Sequence, residues 1–225
     1  MLALVAGFTK VTIVPTGTTR FCGNTAFWLV VDSALVAVVT PRSTVFVTVV
    51  PFTATASDGK TYKLADYRGK YVVLEWHNNG CPYVGKQYNS GNMQKLQKQW
   101  TSKGVVWFTI LSSAPGKQGF VTASDENAYI AKTQAAPTAA LLDPSGEIGH
   151  LYDAKTSPQM VVINPQGVVI YDGAIDDKPT TDLADVPGAT NYVSLALEQS
   201  MAGKPVATPA TRPYGCSVKY PDSSH

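Results

Sequence analysis

Two runs of apolar residues without polar alternation, Tyr71 to Trp76 and Val105 to Leu111, constrain this chain more than anything else in it. A strand with one wet face alternates apolar and polar side chains. Val72-Val73-Leu74 and Val105-Val106-Trp107-Phe108 do not, so each run reads as a strand covered on both faces. Between them, Tyr88, Met93, Leu96, Gln97 and Trp100 recur at helical spacing over residues 82 to 101. That segment opens on Pro82, a residue favoured at the first helical position, and Gly91 weakens its middle. Strand, helix, strand in this order predicts a right-handed crossover within a parallel sheet.

The flanking segments extend the pattern. Phe52 to Ala56 and Thr61 to Leu64 surround the Asp58-Gly59 turn and read as a hairpin. Asp125 to Ala135 reads as a helix capped by Ser124, Thr138 to Leu142 as a short strand, and Ser145 to Tyr152 as a turn or helix. Gln159 to Asn164 and Val168 to Tyr171 form an antiparallel pair around Pro165-Gln166-Gly167. Pro187 to Ala202 supplies the last helix. From Gly203 onward, Pro205, Pro209, Pro213 and Pro221 predict an extended arm over the surface. The fold class is α/β, a central mixed sheet flanked by helices and preceded by an N-terminal extension.

That extension is set apart by composition. Residues 1 to 50 hold four charged side chains, Lys10, Arg20, Asp32 and Arg42, while Val and Thr supply 21 of the 50, which favours extended chain over helix. The chain therefore divides into an extension over 1–50, a main domain over 51–203 and a proline-rich arm over 204–225. Ala26 to Val39 is too short, and with Asp32 too polar, for a spanning helix of ~20 residues, so no stable membrane span is expected. Its length suits the apolar region of an export signal, but no clear A-x-A site follows. Cytoplasmic and exported, periplasmic locations both stay open. The 18 basic residues are spread evenly against 16 acidic ones, so the chain lacks the basic face of a nucleic-acid binder.

The cysteines, Cys22, Cys81 and Cys216, are too few and too scattered for a disulfide framework or a paired-cysteine zinc site. His77, His150 and His225 fall in no metal-ligand spacing, and neither metal nor cofactor is expected. Cys81 stands apart by position, between the first buried strand and its helix. Helix starts carry unpaired N–H groups and about half a positive charge, which stabilise a thiolate placed there. Gly80 permits a tight turn before it, and Pro82 fixes the helix start. A buried structural cysteine is the plainer alternative.

The Val72 to Trp76 strand, the segment Asn78-Asn79-Gly80-Cys81-Pro82-Tyr83-Val84, Phe52-Thr53-Ala54 and the tail Tyr214-Gly215-Cys216-Ser217-Val218-Lys219-Tyr220 together resemble the peroxiredoxin-like redoxins of the thioredoxin superfamily, the alkyl hydroperoxide reductase and thiol-specific antioxidant type. The resemblance covers roughly residues 51 to 220 and implies a thioredoxin-like fold with antioxidant or thiol-disulfide chemistry. It implies Cys81 as nucleophile and Cys216 as resolving cysteine. It also implies Glu75, six residues before Cys81, as a buried proton acceptor, and Pro158 as a cis-proline facing the reactive sulfur. The plainer alternatives are a Glu75 paired with a Lys or a backbone donor, a Cys216 that is inert or pairs between molecules, and an ordinary strand-start Pro158.

Two departures bear on the reaction. Val84 stands where thioredoxins place a second cysteine, which excludes a local C-x-x-C disulfide. Leu74 and Asn78 stand where peroxiredoxins carry Pro and Thr or Ser, and an Asn78 amide in place of the hydroxyl is the reading that would keep peroxide binding. The function expected is a thiol-dependent oxidoreductase acting on a peroxide or a disulfide, with an external thiol reductant such as a thioredoxin. The alternative is a binding or redox-sensing module that keeps the fold without turnover.

Overall fold

The computed structural model describes residues 50–222 throughout and, before them, only the backbone of five strands between residues 14 and 48. Cys22 and His225 lie outside the described residues. The chain divides into two compact units, Met1–Val50 and Pro51–His225. In the first, β1 (Val14–Pro15), β2 (Thr19–Phe21), β3 (Asn24–Val31), β4 (Leu35–Val39) and β5 (Val45–Thr48) pair antiparallel, with β3, β4 and β5 in succession. The Val and Thr content of this segment suits extended chain. The apolar stretch weighed as an export signal falls on β3 and β4.

The second unit is built on a five-stranded mixed sheet. It begins with the hairpin β6 (Thr53–Thr55) and β7 (Thr61–Lys63), turned at Gly59 and tied by Asp58 Oδ1, which accepts from Lys60 N at 2.9 Å. Then come β8 (Val72–Trp76), α1 (Pro82–Asn89), α2 (Asn92–Thr101), β9 (Val106–Leu111), α3 (Ala123–Thr133), β10 (Ala139–Leu142), α4 (Glu147–Leu151), β11 (Thr156–Ser157), β12 (Met160–Ile163), β13 (Val169–Gly173), α5 (Tyr192–Met201) and β14 (Cys216–Ser217). The sheet order is β10-β9-β8-β12-β13, parallel over β10, β9 and β8 and antiparallel over β12 and β13. This is the thioredoxin-like arrangement, and β8 lies at its centre with every residue buried.

Period-two geometry sorts β8 between two layers. Val73 joins Trp107, Val162, Tyr171 and the helix residues Tyr88, Met93, Trp100 and Leu197 in one apolar cluster that also holds Cys81. Trp76 turns to the opposite face, where its Nε1 donates to Ser112 and its ring meets Tyr152. On that face Phe108 meets the rings of Tyr62 and Tyr67 edge-on. Each large apolar side chain so buried contributes about 2 kcal/mol.

The helices depart from the sequence reading in three places. Residues 82 to 101 form two helices, because Gly91 takes the left-handed conformation (φ 75°) that ends α1 and caps α2. The cap of α3 is Thr122, not Ser124: Thr122 Oγ1 accepts from Asp125 N while Asp125 accepts from Thr122 N, a reciprocal capping box. The last helix starts at Tyr192 behind an Asn191 cap, and Pro187 lies instead in a separate 3-10 turn over Leu183–Gly188.

The proline-rich arm is more than a surface strap. Asp172 N donates to Pro209 O, Thr211 N donates to Asp172 O, Val218 N to Lys155 O, and Ala114 N to Lys219 O. Tyr220 stacks on His150 with ring centroids 4.0 Å apart and donates to Ala154 O at 2.6 Å. Gly146 and Gly149 leave room for its side chain; a Cβ at Gly146 would come within 2.4 Å of the ring and one at Gly149 within 2.5 Å of the hydroxyl. The arm is thus anchored on both sides of Cys216. No helix among the described residues is long and apolar enough to cross a membrane.

Candidate active site

Cys81 occupies the N-cap of α1, in extended conformation (φ −85°, ψ 124°), with Pro82 at the first helical position. Its N–H donates to Asn78 O at 3.0 Å, and its carbonyl accepts from Gly85 N at 2.8 Å as the first helical bond. The turn is shaped by Asn78, whose Oδ1 accepts from Gly80 N at 2.9 Å and whose Nδ2 donates to Gln118 Oε1 at 3.0 Å. The Asn78 amide is therefore committed to the loop. A Cβ at Gly80 would meet Gln118, and one at Gly119 would meet Asn78.

The Cys81 side chain is only 1% exposed and points at the segment ahead of β12. Its Sγ donates to Ser157 O at 3.1 Å. Ser157 precedes Pro158 through a cis peptide bond, and across the β11–β14 ladder Ser157 pairs with Cys216. The fold so brings together Cys81, Pro158 and Cys216, which lie far apart in the chain. Both cysteines are free thiols. Burial, and after it the hydrogen bond and charge of Cys81, push the Cys216 thiol up to about 11.

Glu75 sits elsewhere in the same layer. It is fully buried, and its partners are side chains rather than a lysine or the backbone: Tyr88 OH at 2.8 Å, Trp107 Nε1 at 2.7 Å, Gln97 Nε2 at 3.2 Å and Thr109 Oγ1 at 3.3 Å all donate to it. His77 Nδ1 lies 3.4 Å from Glu75 Oε1, at ion-pair distance but without hydrogen-bond alignment. On its other side His77 meets Asn79, whose Nδ2 donates to Glu126 at 3.2 Å. Burial alone would lower the His77 pKa, but Glu75, then Glu126 and Asn79, outweigh it and hold it above the ordinary value. Burial raises Glu126, against the opposing pull of His77 and Asn79. A chain of polar groups thus runs from Glu75 to Asn79, two residues before Cys81.

Residues that sequence reasoning did not single out tie α1 to the arm. Asp176 Oδ1 accepts from Tyr214 OH at 2.5 Å, Asp176 Oδ2 accepts from Gln87 Nε2 at 2.7 Å, and Lys86 Nζ lies 3.8 Å from the same carboxylate. The pairs span from 38 to about ninety residues, so no local pattern could have exposed them. Beside them a cleft of about 600 Å³ is lined by Thr156, Asp177, Tyr192, Arg212, Tyr214 and Gly215, among others. Neither sulfur lines this cleft, but Thr156 Oγ1, buried without a partner, belongs to a lining residue.

Comparison with known proteins agrees with this fold. An uncharacterized conserved protein from Geobacillus kaustophilus superposes with a TM-score of 0.70 at 22% identity, covering 82% of this chain and 96% of that one. A hypothetical protein from Sinorhizobium meliloti 1021 does so with a TM-score of 0.68 at 18% identity, covering 80% and 96%. No curated protein matches the chain. The sequence model described as the AhpC/TSA family matches residues 47–172, more than half the chain and the whole segment from β6 through most of β13. The chain belongs to the AhpC/TSA family, whose members carry out thiol-dependent redox chemistry on this thioredoxin-like fold.

Proposed function

We propose that the protein is a thiol-dependent oxidoreductase with Cys81 as nucleophile and Cys216 as resolving thiol. The observation that carries this reading is the position of Ser157, whose carbonyl accepts the Cys81 thiol while the residue itself pairs with Cys216. With a hydroperoxide, the Cys81 sulfur attacks one oxygen, the O–O bond breaks, and the sulfur becomes a sulfenic acid as water or an alcohol leaves. Cys216 then attacks that sulfur; hydroxide departs, takes up a proton as water, and the disulfide forms. With a disulfide substrate, Cys81 attacks one sulfur and releases one thiolate, and Cys216 displaces the second from the mixed disulfide. Two equivalents of external thiol, such as the dithiol of a thioredoxin, return both cysteines to thiols.

In this reading Glu75 is the buried proton acceptor of the layer that holds Cys81, with His77 beside it, and Pro158 closes the backbone edge against which Cys81 rests. Mass analysis after hydrogen peroxide treatment, alkylation and digestion tests the scheme. A bond joining the Cys81 and Cys216 peptides is expected, and Cys81→Ser should lack it. A Cys81 that reacts with peroxide no faster than free cysteine would remove the peroxide form.

The 1% exposure of Cys81 favours a second reading, a redox-sensing module whose thiol is reached only when the arm moves. Absence of catalytic turnover with both peroxides and disulfides, together with retention of a partner protein that Cys81→Ser loses, would select it.

A further inference from the structure

We propose that Asp176, Tyr214 and Lys86 form a positioning latch that sets how closely the Cys216 thiol is held against Cys81. The inference rests on the two-cysteine reading above. Lys86 and Asp176 are 1% and 2% exposed. Burying such a pair brings little net stability, because lost hydration offsets their attraction, and an apolar pair of similar size commonly serves as well. What this pair specifies is therefore the more informative question.

The cluster links the helix that Cys81 caps to the arm that carries Cys216 through Asp176 and Lys178, which lie in the loop after β13. Lys86 and Gln87 lie on α1, whose N-cap is Cys81. Tyr214 lies two residues before Cys216 and donates to Asp176 Oδ1 at 2.5 Å. Gln87 donates to Asp176 Oδ2 at 2.7 Å, while Lys178 N donates to Oδ1 at 2.8 Å. Lys86 donates to Lys178 O at 2.6 Å, and its Nζ lies 5.6 Å from the centre of the Tyr214 ring. The ring of Tyr83, the second residue of α1, is 5.7 Å from that of Tyr214. Between latch and cysteine stands Gly215, against Ser157 O so closely that a Cβ would come within 2.0 Å of it. With both neighbours fixed, the path of the arm at Cys216 is fixed too. Orientation of this kind appears as effective concentration of one thiol toward the other.

The test is an equilibrium between the full chain and dithiothreitol, with Cys22→Ser as background. Oxidised dithiothreitol takes the two electrons and two protons of Cys81 and Cys216 as the protein disulfide forms. The two states are counted by alkylation and mass. Tyr214→Phe keeps the ring beside Tyr83 and removes only the hydroxyl. We expect it to lower the equilibrium constant for the disulfide about tenfold, or about 30 mV for a two-electron couple. Asp176→Asn should lower it comparably, and the double variant little further, since both act through one contact. Should Asp176→Asn fail to fold, Tyr214→Phe alone decides.

A lower melting temperature with an unchanged equilibrium constant would make the cluster merely structural and overturn the latch, leaving the two-cysteine reading intact. A disulfide that forms with dithiothreitol but not with peroxide would remove the peroxide form and leave the latch standing. A wild-type chain with no Cys81–Cys216 bond at any ratio of dithiothreitol would overturn both.

Discussion

The thiol of Cys81 donates a hydrogen bond to the backbone carbonyl of Ser157 at 3.1 Å, so the sulfur at the start of one helix is addressed to the segment that pairs with Cys216. The bond adds a second donor to a carbonyl that also belongs to the β11–β14 ladder. Cys81→Ser keeps a donor at that place, whereas Cys81→Ala removes one hydrogen bond, at a cost of about 1 kcal/mol. Urea unfolding should therefore rank serine close to wild type and alanine below it. Both variants should lose disulfide formation completely. Equal destabilisation by serine and alanine would show that the hydrogen bond contributes nothing to stability.

Cys216 carries a pH signature. Its thiol is pushed up to about 11, first by burial and then by Cys81, so at neutral pH nearly all of it is protonated. The attacking species is the thiolate, whose fraction below the pKa grows tenfold per pH unit. Once Cys81 is a sulfenic acid its charge no longer contributes, but burial still holds the Cys216 thiol up. Stopped-flow measurement of disulfide formation after a peroxide pulse should therefore give a rate that rises with pH from about pH 7 to about pH 9. A rate flat over that range would mean that Cys216 is not the attacking thiol in the slow step.

How much of this was legible beforehand depends on the range of the interactions. β8 and β9 follow from unbroken apolar runs, and the placement of Cys81 at a helix start follows from Gly80 and Pro82, all local signals. The break at Gly91 was hidden because apolar spacing continues across it, through Tyr88 and Met93. Thr122 and Ser124 both suit a cap, and Asp125, three residues after Thr122, settles the choice by closing the box. The family resemblance alone implied a chemical role for Glu75, while its five buried neighbours come from three different elements and from the loop after β8. Least legible was the arm. Its prolines announced extended chain, yet what it lies against is decided by Asp176, Ser157, Ala154 and His150, all remote in sequence.

Gly215 offers a direct perturbation of the arm. Its φ of 140° and the approach of Ser157 O leave no space for a side chain, so Gly215→Val must push β14 off β11 next to Cys216. Two rates should then move in opposite directions. Iodoacetamide should modify Cys81, now uncovered, at least tenfold faster, while peroxide-driven disulfide formation with Cys216 slows by a similar factor. If alkylation of Cys81 stays at the wild-type rate, its burial comes from elements other than the arm.

Asp172 connects the arm to pH-dependent stability. Its backbone N–H and carbonyl bond Pro209 and Thr211, while its carboxylate, accepting from Gln159 at 3.0 Å, is pushed up to about 6, chiefly by burial. A carboxyl group raised above its unfolded value favours folding while protonated. That contribution is complete below about pH 4 and is lost as pH rises through about 6. At neutral pH the native state therefore carries a buried charge that its surroundings resist. Asp172→Asn keeps an acceptor for Gln159 and removes the charge. It should stabilise the protein at pH 7 to 8 by up to about 3 kcal/mol, reduced by whatever solvent reaches the group. The gain should shrink as pH falls through 6 and vanish near 4. Thermal melts of both proteins across pH 4 to 8 measure the difference, and a gain equal at both ends would assign the effect to packing instead of charge.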